Sequence, residues 1–246
     1  MSSEKRKRVE ILGIGVDNVS MEDTLEILAS FVEEGKPRVV VTADAAGIVA
    51  AQSDEEWRSI MLNADLVTPD SVGVLWAADH VGSPIRERVS GVDLVEQLVS
   101  RGYAVYFLGA APGIAEAAKV KLAEKYPCAN VVGTQDGFFD DSDLPQIIAR
   151  VRDANPQVLM VAMGIPKQEK FIVAHLNEID AAVNMGVGGS FDVLSGNVKR
   201  APKLLQKLRL EWLWRLIQNP KKWRKVAALP TFWWMVMTSG RRRKSH

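Results

Sequence analysis

The sequence has little of what stabilises a secreted protein or builds a metal site. Its 246 residues include one cysteine and three histidines. A single cysteine, Cys128, cannot form a disulfide within the chain, which excludes a disulfide framework and fits a reducing cytoplasm. So few cysteines and histidines also argue against a zinc site of the Cys/His type.

Long apolar runs are absent as well. The N-terminus is basic, but the apolar stretch after it is short, meets Asp17 and carries no cleavage signal, so it predicts a strand rather than a signal peptide. The most apolar part of the C-terminal region, residues 226–237, spans 12 residues and is interrupted by Pro230. A spanning helix needs about 20 residues, so we expect no segment that crosses a bilayer.

Acidic residues are scarce in one part of the chain only. Residues 199–246 hold a single acid, Glu211, against 14 lysines and arginines, a net charge of +13, and they contain five of the seven tryptophans. Residues 1–198 hold 29 acidic and 17 basic residues, a net charge of −12. We therefore divide the chain into an acidic body, residues 1–198, and a basic, Trp-rich C-terminal appendage, residues 199–246, with different partners.

Short β-branched runs alternate with helical patterns along the body. The runs predict strands at 9–15, 38–42, 65–68, 104–108, 130–133, 157–163 and 181–187. Helical patterns lie at 20–34, 44–52, 54–62, 72–81, 91–101, 112–125, 142–154 and 166–176. Most strands are apolar on both faces, which predicts an α/β fold with a mostly parallel, Rossmann-like sheet and helices on both faces.

Glycine and polar residues follow several predicted strands, where ligands bind in such sheets. The turn after residue 108 could receive a phosphate on its N–H groups, and an ordinary tight turn is the alternative. Segment 186–192 suits close approach of a diphosphate or ribose, with a structural turn as the alternative. The predicted nucleotide-binding residues are Gly109, Gly113, Gly188, Gly189 and Asp192.

Asp70 stands out among single residues because it follows Pro69 at the end of a buried strand. Its carboxylate could act as a general base on an acceptor hydroxyl, and capping the next helix is the alternative role. Arg86 or Arg88 could neutralise a phosphate. A solvated basic pair, or an ion pair with Asp93, explains these arginines equally well.

The appendage combines cations with apolar and aromatic residues. If residues 200–217 form one helix, Arg215 falls on its leucine-rich side, where a buried charge needs a partner, so we expect it to face an anion. Further on, a pattern typical of an anionic membrane surface comprises Lys221, Lys222, Trp223, Arg224, Trp233 and Trp234. Docking on the chain's own body or on a second subunit of a homo-oligomer is the alternative, and it is compatible with membrane binding.

A series of motifs runs through nearly the whole chain, from about residue 10 to 230. They are Thr42 in VVTAD, Pro69-Asp70, ERVSGVD at 87–93, GFF at 137–139, GIPKQEK at 164–170, GVGGSFD at 186–192, KRAP at 199–202 and LEWLWRL at 210–216. In this order they resemble the WecG/TagA/CpsF family of bacterial glycosyltransferases.

The resemblance implies inverting transfer of a sugar, commonly of the N-acetylmannosamine type, from a UDP-sugar to a polyprenyl-diphosphate-linked sugar. It implies a peripheral enzyme at the cytoplasmic membrane face that needs no metal or other cofactor. Residues 1–198 would then be the catalytic domain and residues 199–246 a membrane-associating appendage.

Residue roles follow from the same resemblance. Asp70 would be the base and Thr42 would assist it, while the predicted substrate contacts are Asp44, Arg88, Asp93, Gln168 and Arg215, the last at the diphosphate. Two positions depart from the family pattern: Asp44 stands where Asn is usual, and Ser71 where Gly is usual. An added carboxylate and a less flexible backbone bear on the choice of donor sugar.

The residues are consistent with this chemistry. A positioned base contributes about 10²–10⁴-fold, and the charge of the leaving diphosphate must be met by a metal, by arginines or by helix N-termini. Because no DxD-type acidic pair follows a predicted strand, we expect arginines and backbone N–H groups to supply that counter-charge.

Three alternatives stay open at this point. The same reaction could use another UDP-hexose. A non-catalytic nucleic-acid-binding protein could use the basic tail, although an acidic body argues against a nucleic-acid partner. A nucleotide-dependent oxidoreductase is disfavoured because the GxGxxG spacing is missing.

Overall fold

A computed structural model describes residues 6–198, Trp214 and residues 223–242, with side chains in the last segment for residues 228–239. The strands of this part of the chain are β1 (Arg8–Ile11), β2 (Ile14–Asp17), β3 (Arg38–Ala43), β4 (Leu66–Pro69), β5 (Ala104–Gly109), β6 (Asn130–Gln135), β7 (Val158–Ala162) and β8 (Val183–Gly186). The six strands predicted from residue 38 onward are present, with ends shifted by no more than two residues.

Helices separate the strands. They are α1 (Met21–Glu34), α2 (Ala45–Ala50), α3 (Glu55–Asn63), α4 (Val72–His80), α5 (Gly91–Ser100), α6 (Ile114–Lys125), α7 (Leu144–Asp153), α8 (Lys167–Ile179), α9 (Ser190–Leu194) and α10 (Trp223–Arg242). Short polar residues begin several of them: Ser20 caps α1 and Asp54 caps α3, each accepting a hydrogen bond from a backbone N–H in the first turn.

The central sheet has six strands in the order β4-β3-β8-β7-β5-β6, and every neighbouring pair is parallel. All positions of β7 are buried because helices cover both faces of the sheet. One apolar core contains residues of α2, α3, α4, α7, α8 and α10. The other contains residues of α1, α5, α6 and α9. The α/β, Rossmann-like fold class is therefore confirmed.

The N-terminal apolar stretch differs from its prediction as one strand over 9–15. It folds into an antiparallel hairpin of β1 and β2 outside the central sheet. Leu12 and Gly13 reverse the chain with φ of 51° and 78°. Positive φ at both central residues is what a two-residue hairpin turn requires, and glycine adopts it without strain.

Helix α10 places part of the appendage against the body. Phe232 and Val236 are 2% and 1% exposed and belong to the same core as α2 and α4. Pro230 lies inside this helix, although a proline removes one backbone donor and usually bends a helix there. Among the residues that the structure describes, none of the helices combines the length and the hydropathy that crossing a bilayer requires.

Candidate active site at the carboxyl edge of the sheet

The six parallel strands end at one edge, which brings together side chains that are distant in sequence. Thr42 lies near the end of β3, Asp70 follows β4, and Gly186 ends β8. Thr42 is paired in register with Thr68 of β4, so both point to the same face, and Asp70 comes two residues later. The predicted base and its predicted assistant are thus neighbours.

Asp70 is held by backbone contacts on both sides. Its N–H donates to the carbonyl of Ala43 at 3.0 Å, and its Oδ1 accepts from the N–H of Gly91, the first residue of α5, at 2.9 Å. Ser71, not Asp70, caps α4. The alternative role as cap of that helix is therefore not what the structure shows, and the half-buried carboxylate lies beside the N-terminus of α5.

Thr42 is 5% exposed and donates its hydroxyl to the carbonyl of Gly186 at 2.9 Å. A methyl group on Gly91 would lie 3.8 Å from Cγ2 of Thr42 and 3.6 Å from Oγ of Ser190. These distances place Thr42, Ser190 and the Asp70–Gly91 hydrogen bond in one cluster. Because its hydroxyl proton is already donated, Thr42 can offer a ligand only an acceptor.

Asp44 and Ser71, the two residues that depart from the family pattern, lie close together in the structure. Oδ1 of Asp44 caps α2 by accepting from the N–H of Gly47 at 2.6 Å. Oγ of Ser71 accepts from the N–H of Ala45 at 3.2 Å as well as from Val74 at 3.3 Å. Ser71 thereby connects the starts of α2 and α4, and both helices begin directly beside the Thr42 and Asp70 cluster.

Arg88 and Asp93, two predicted substrate contacts, flank the start of α5 and are both half-buried. Arg86 lies apart from them: it is 65% exposed and pairs with Asp23 at 3.1 Å. Of the two arginines considered for phosphate binding, Arg88 is the half-buried one, and it lies three residues before Gly91, whose N–H donates to Asp70.

Gln168 was predicted to contact substrate, and the structure describes it as fully buried. Its Oε1 accepts from the N–H groups of Gly164 and Gly188, each at 3.1 Å, and its Nε2 donates to Oε1 of Glu169 at 2.7 Å. Glu169 is also fully buried. Sequence analysis gave Glu169 no role, although it lies within a quoted motif, because a glutamate in the first turn of a helix is usually exposed.

A cleft of about 830 Å³ opens at the ends of β5, β6 and β7. We refer to it as the β5–β7 cleft; its walls include Ala110, Ala111, Phe138, Asp140, Asp143, Met163, Lys167 and Asp192. Asp192 was predicted for the nucleotide site. Phe138 and Lys167 were missed, although Phe138 is 74% exposed and belongs to the quoted GFF motif.

The predicted glycines have distinct local roles around this cleft. Gly109 has a φ of 117°, and a side chain there would lie 2.5 Å from the carbonyl oxygen of Ala162, so close strand packing requires glycine. Gly113 directly precedes α6 with a φ of 80°, and Gly188 has a φ of 54°. Gly189 directly precedes α9.

The predicted membrane-binding residues, and the predicted diphosphate contact Arg215, fall only partly in the described part of the chain. Arg215, Lys221 and Lys222 lie outside it, as do the side chains of Trp223 and Arg224. Trp233 and Trp234 are 50% and 66% exposed on α10. Trp233 stacks on Trp76 of α4 with ring centroids 6.3 Å apart.

Comparisons with known proteins point to one family of glycosyltransferases. The model of the glycosyl transferase WecG/TagA/CpsF family matches residues 9–246. Relatives from Bacillus spizizenii and Bacillus subtilis are 31% and 30% identical, over 82% and 87% of this chain and 80% and 85% of theirs. One from Staphylococcus aureus is 28% identical over 99% of both chains. All three are named N-acetylglucosaminyldiphosphoundecaprenol N-acetyl-beta-D-mannosaminyltransferase.

Proposed function

The chain belongs to the WecG/TagA/CpsF family of glycosyltransferases, and on that premise we propose that it transfers an N-acetylmannosamine-type sugar from a UDP-sugar to polyprenyl-diphosphate-linked N-acetylglucosamine, with inversion. The names of its relatives support both the sugar and the acceptor. The observation that carries the proposal is the position of Asp70 and Thr42 at the carboxyl edge, on the same edge as a cleft of ligand size.

Asp70 acts as the general base in this proposal. It accepts the proton of an acceptor hydroxyl while the acceptor oxygen bonds to the anomeric carbon and the bond from that carbon to the diphosphate breaks. One base and one displacement invert the configuration at the anomeric carbon. The hydrogen bond from Gly91 to Oδ1 fixes the carboxylate in place.

The β5–β7 cleft is the proposed site of the nucleotide. The exposed ring of Phe138 offers a stacking surface for a base, and Asp192 offers acceptors for ribose hydroxyls. Lys167 is a cation for the diphosphate, and Arg88 and the N-terminus of α5 add counter-charge near Asp70. The proposed reaction accordingly needs no metal ion.

The appendage is proposed to hold the enzyme at the inner face of the cell membrane, where its lipid-linked acceptor lies. Trp234 is 66% exposed on α10, while Phe232 and Val236 of the same helix pack on the body and half-exposed Trp233 stacks on Trp76 at the margin of that contact. An exposed aromatic beside a docked helix face is suited to a membrane interface. Residues 199–246, with Arg215 at the acceptor or leaving diphosphate, then act as an appendage to a catalytic domain of residues 1–198.

Product analysis tests the reaction. The full-length enzyme is incubated with a panel of UDP-sugars and N-acetylglucosaminyl-diphosphoundecaprenol, with and without EDTA, and the linkage formed is determined by NMR. We expect a β-linked disaccharide lipid from UDP-N-acetylmannosamine that EDTA does not reduce. Transfer from another UDP-hexose only would show that the proposed donor sugar is wrong. A retained configuration at the anomeric carbon, or no transfer from any donor, would refute the mechanism.

Vesicle sedimentation tests the membrane surface. Trp234→Ser should weaken binding of the full chain to vesicles containing phosphatidylglycerol, because an interfacial aromatic is lost. Leu62→Ser is the matched control, since Leu62 is also an exposed apolar side chain, 46% exposed, but on α3. An equal loss of vesicle binding in both variants would contradict a specific membrane role for α10. Release of the protein from the vesicles on addition of DNA would contradict it as well.

A further inference from the structure

A buried polar pair lies beneath the proposed site. Gln168 and Glu169 lie in the first turn of α8, both are fully buried, and they are joined by the Nε2–Oε1 hydrogen bond of 2.7 Å. We propose that Gln168 is a positioning residue of the transfer reaction, and that Glu169 sets the orientation of its amide. This inference rests on the proposed function, which supplies the nucleotide whose binding is measured.

The amide orientation is determined from two sides. Oε1 of Gln168 receives two backbone donors, Gly164 and Gly188, so an amide flipped by 180° would bring its NH₂ group against two N–H groups. On the other side Nε2 donates to Oε1 of Glu169 at 2.7 Å. One orientation therefore satisfies all three hydrogen bonds, and the flipped one satisfies none.

The amide joins two turns that border the proposed site. Gly164 belongs to the turn between β7 and α8, which carries Met163 and Lys167 into the β5–β7 cleft. Gly188 belongs to the turn between β8 and α9, which carries Asp192 into the same cleft. Both glycines have positive φ, at 81° and 54°, and both lie in turns between a strand and a helix.

Gly186 connects Gln168 and Glu169 with the cluster of Thr42, Ser190 and the Asp70–Gly91 hydrogen bond. Any side chain at Gly186 would collide with Nε2 of Gln168 and Oε1 of Glu169, so the backbone of β8 packs directly on the pair. The carbonyl of Gly186 accepts the hydroxyl of Thr42 at 2.9 Å. A displacement of Gln168 is thereby transmitted to both the nucleotide cleft and Thr42, and we assign its effect to ligand position rather than to chemistry.

Replacement of Gln168 by methionine tests the assignment, because it keeps the length of the side chain and removes its polar atoms. Two buried N–H groups then lose their acceptor, so we expect the Kd for UDP to rise about 10-fold. The matched control is Asn184→Leu. Asn184 is also a buried amide that bonds two carbonyls, of Ala181 and Arg38, but at the amino edge.

The control should lower the melting temperature as Gln168→Met does and leave the Kd for UDP unchanged. The acid limb of the kcat profile should stay the same in Gln168→Met, since Asp70 is untouched. A wild-type Kd in folded Gln168→Met, or an equal rise in Asn184→Leu, would overturn the inference. If the wild-type enzyme binds no UDP, the proposed function fails instead.

An exchange variant covers the case in which Gln168→Met does not fold. In Gln168→Glu combined with Glu169→Gln, the residue at 168 still accepts from both glycines and the residue at 169 donates to it. The amide proton shifts of Gly164 and Gly188 should move in Gln168→Glu alone and return in the exchange variant, together with UDP affinity. No recovery in a folded exchange variant would refute the role of the pair, whatever the enzyme's substrate.

Discussion

Strand β4 has an aspartate just beyond each end, and the two make a direct comparison. Asp65 precedes the strand at the amino edge, and its Oδ2 accepts from the N–H of Val39 at 2.8 Å. Asp70 follows the strand at the carboxyl edge, and its Oδ1 accepts from the N–H of Gly91 at 2.9 Å. Each carboxylate thus receives one backbone donor from a neighbouring element.

Their surroundings differ. Oδ1 of Asp65 also forms an ion pair with Nη1 of Arg38 at 2.9 Å, and Arg38 pairs with Glu34 as well. Asp65 is therefore part of a partly exposed network of ion pairs. These contacts raise the pKa of the Arg38 guanidinium, first through Glu34 and then through Asp65. Asp70 borders Thr42, Ser190 and the start of α5. The same hydrogen bond therefore serves stability at one edge and, we propose, catalysis at the other.

The largest expected effect is on turnover at the carboxyl edge. Asp70→Asn keeps an oxygen that can accept from Gly91 but cannot take a proton from the acceptor, so turnover should fall about 10²–10⁴-fold. Isothermal calorimetry should show nearly wild-type UDP binding and thermal unfolding a nearly wild-type melting temperature. Wild-type turnover in this variant would refute the assignment of the base.

A smaller effect, on stability only, is expected at the amino edge. Asp65→Asn keeps the acceptor for Val39 and loses the ion pair with Arg38, and both side chains are about a third exposed. The free energy of unfolding in urea should fall by about 1 kcal/mol, discounted for solvent screening. Turnover should match the wild type; a loss comparable to that of Asp70→Asn would erase the distinction between the edges.

The smallest effect is expected at Asp23, a third carboxylate that accepts a backbone N–H. Hydrogen bonds from the backbone and then the side chain of Ser20 lower the pKa of Asp23 below 3.8. At this exposed helix start, Asp23→Asn should cost roughly 0.5 kcal/mol.

The pH dependence gives this last variant a second test. Because the folded pKa is the lower one, the contribution of Asp23 is complete above the unfolded pKa near 3.8 and is lost as pH falls through the folded value. The difference between wild type and Asp23→Asn should be constant from pH 5 to 8 and shrink below 4. A difference that grows in acid would contradict the lowered pKa.

Much of the fold could be predicted from local sequence. The period of apolar residues predicts the parallel strands, and Ser20 with Asp23 predicts the start of α1, because both signals depend on near neighbours. The prediction of a single strand over 9–15 was wrong because the apolar pattern continues across the hairpin turn at Leu12 and Gly13. Helix α10 continues past Pro230 while Phe232 and Val236 pack on the body, which local sequence does not indicate.

By itself the sequence determined the alternation of strands and helices, the family, and the concentration of candidate residues after strands. Each of these depends on residues that are close together along the chain. Only the tertiary structure decided which of those residues meet. Asp70 lies by Gly91, and Thr42 by Gly186, because parallel strands end at one edge. Gln168 is buried under two turns because β7 and β8 are adjacent there, a contact that no local pattern encodes.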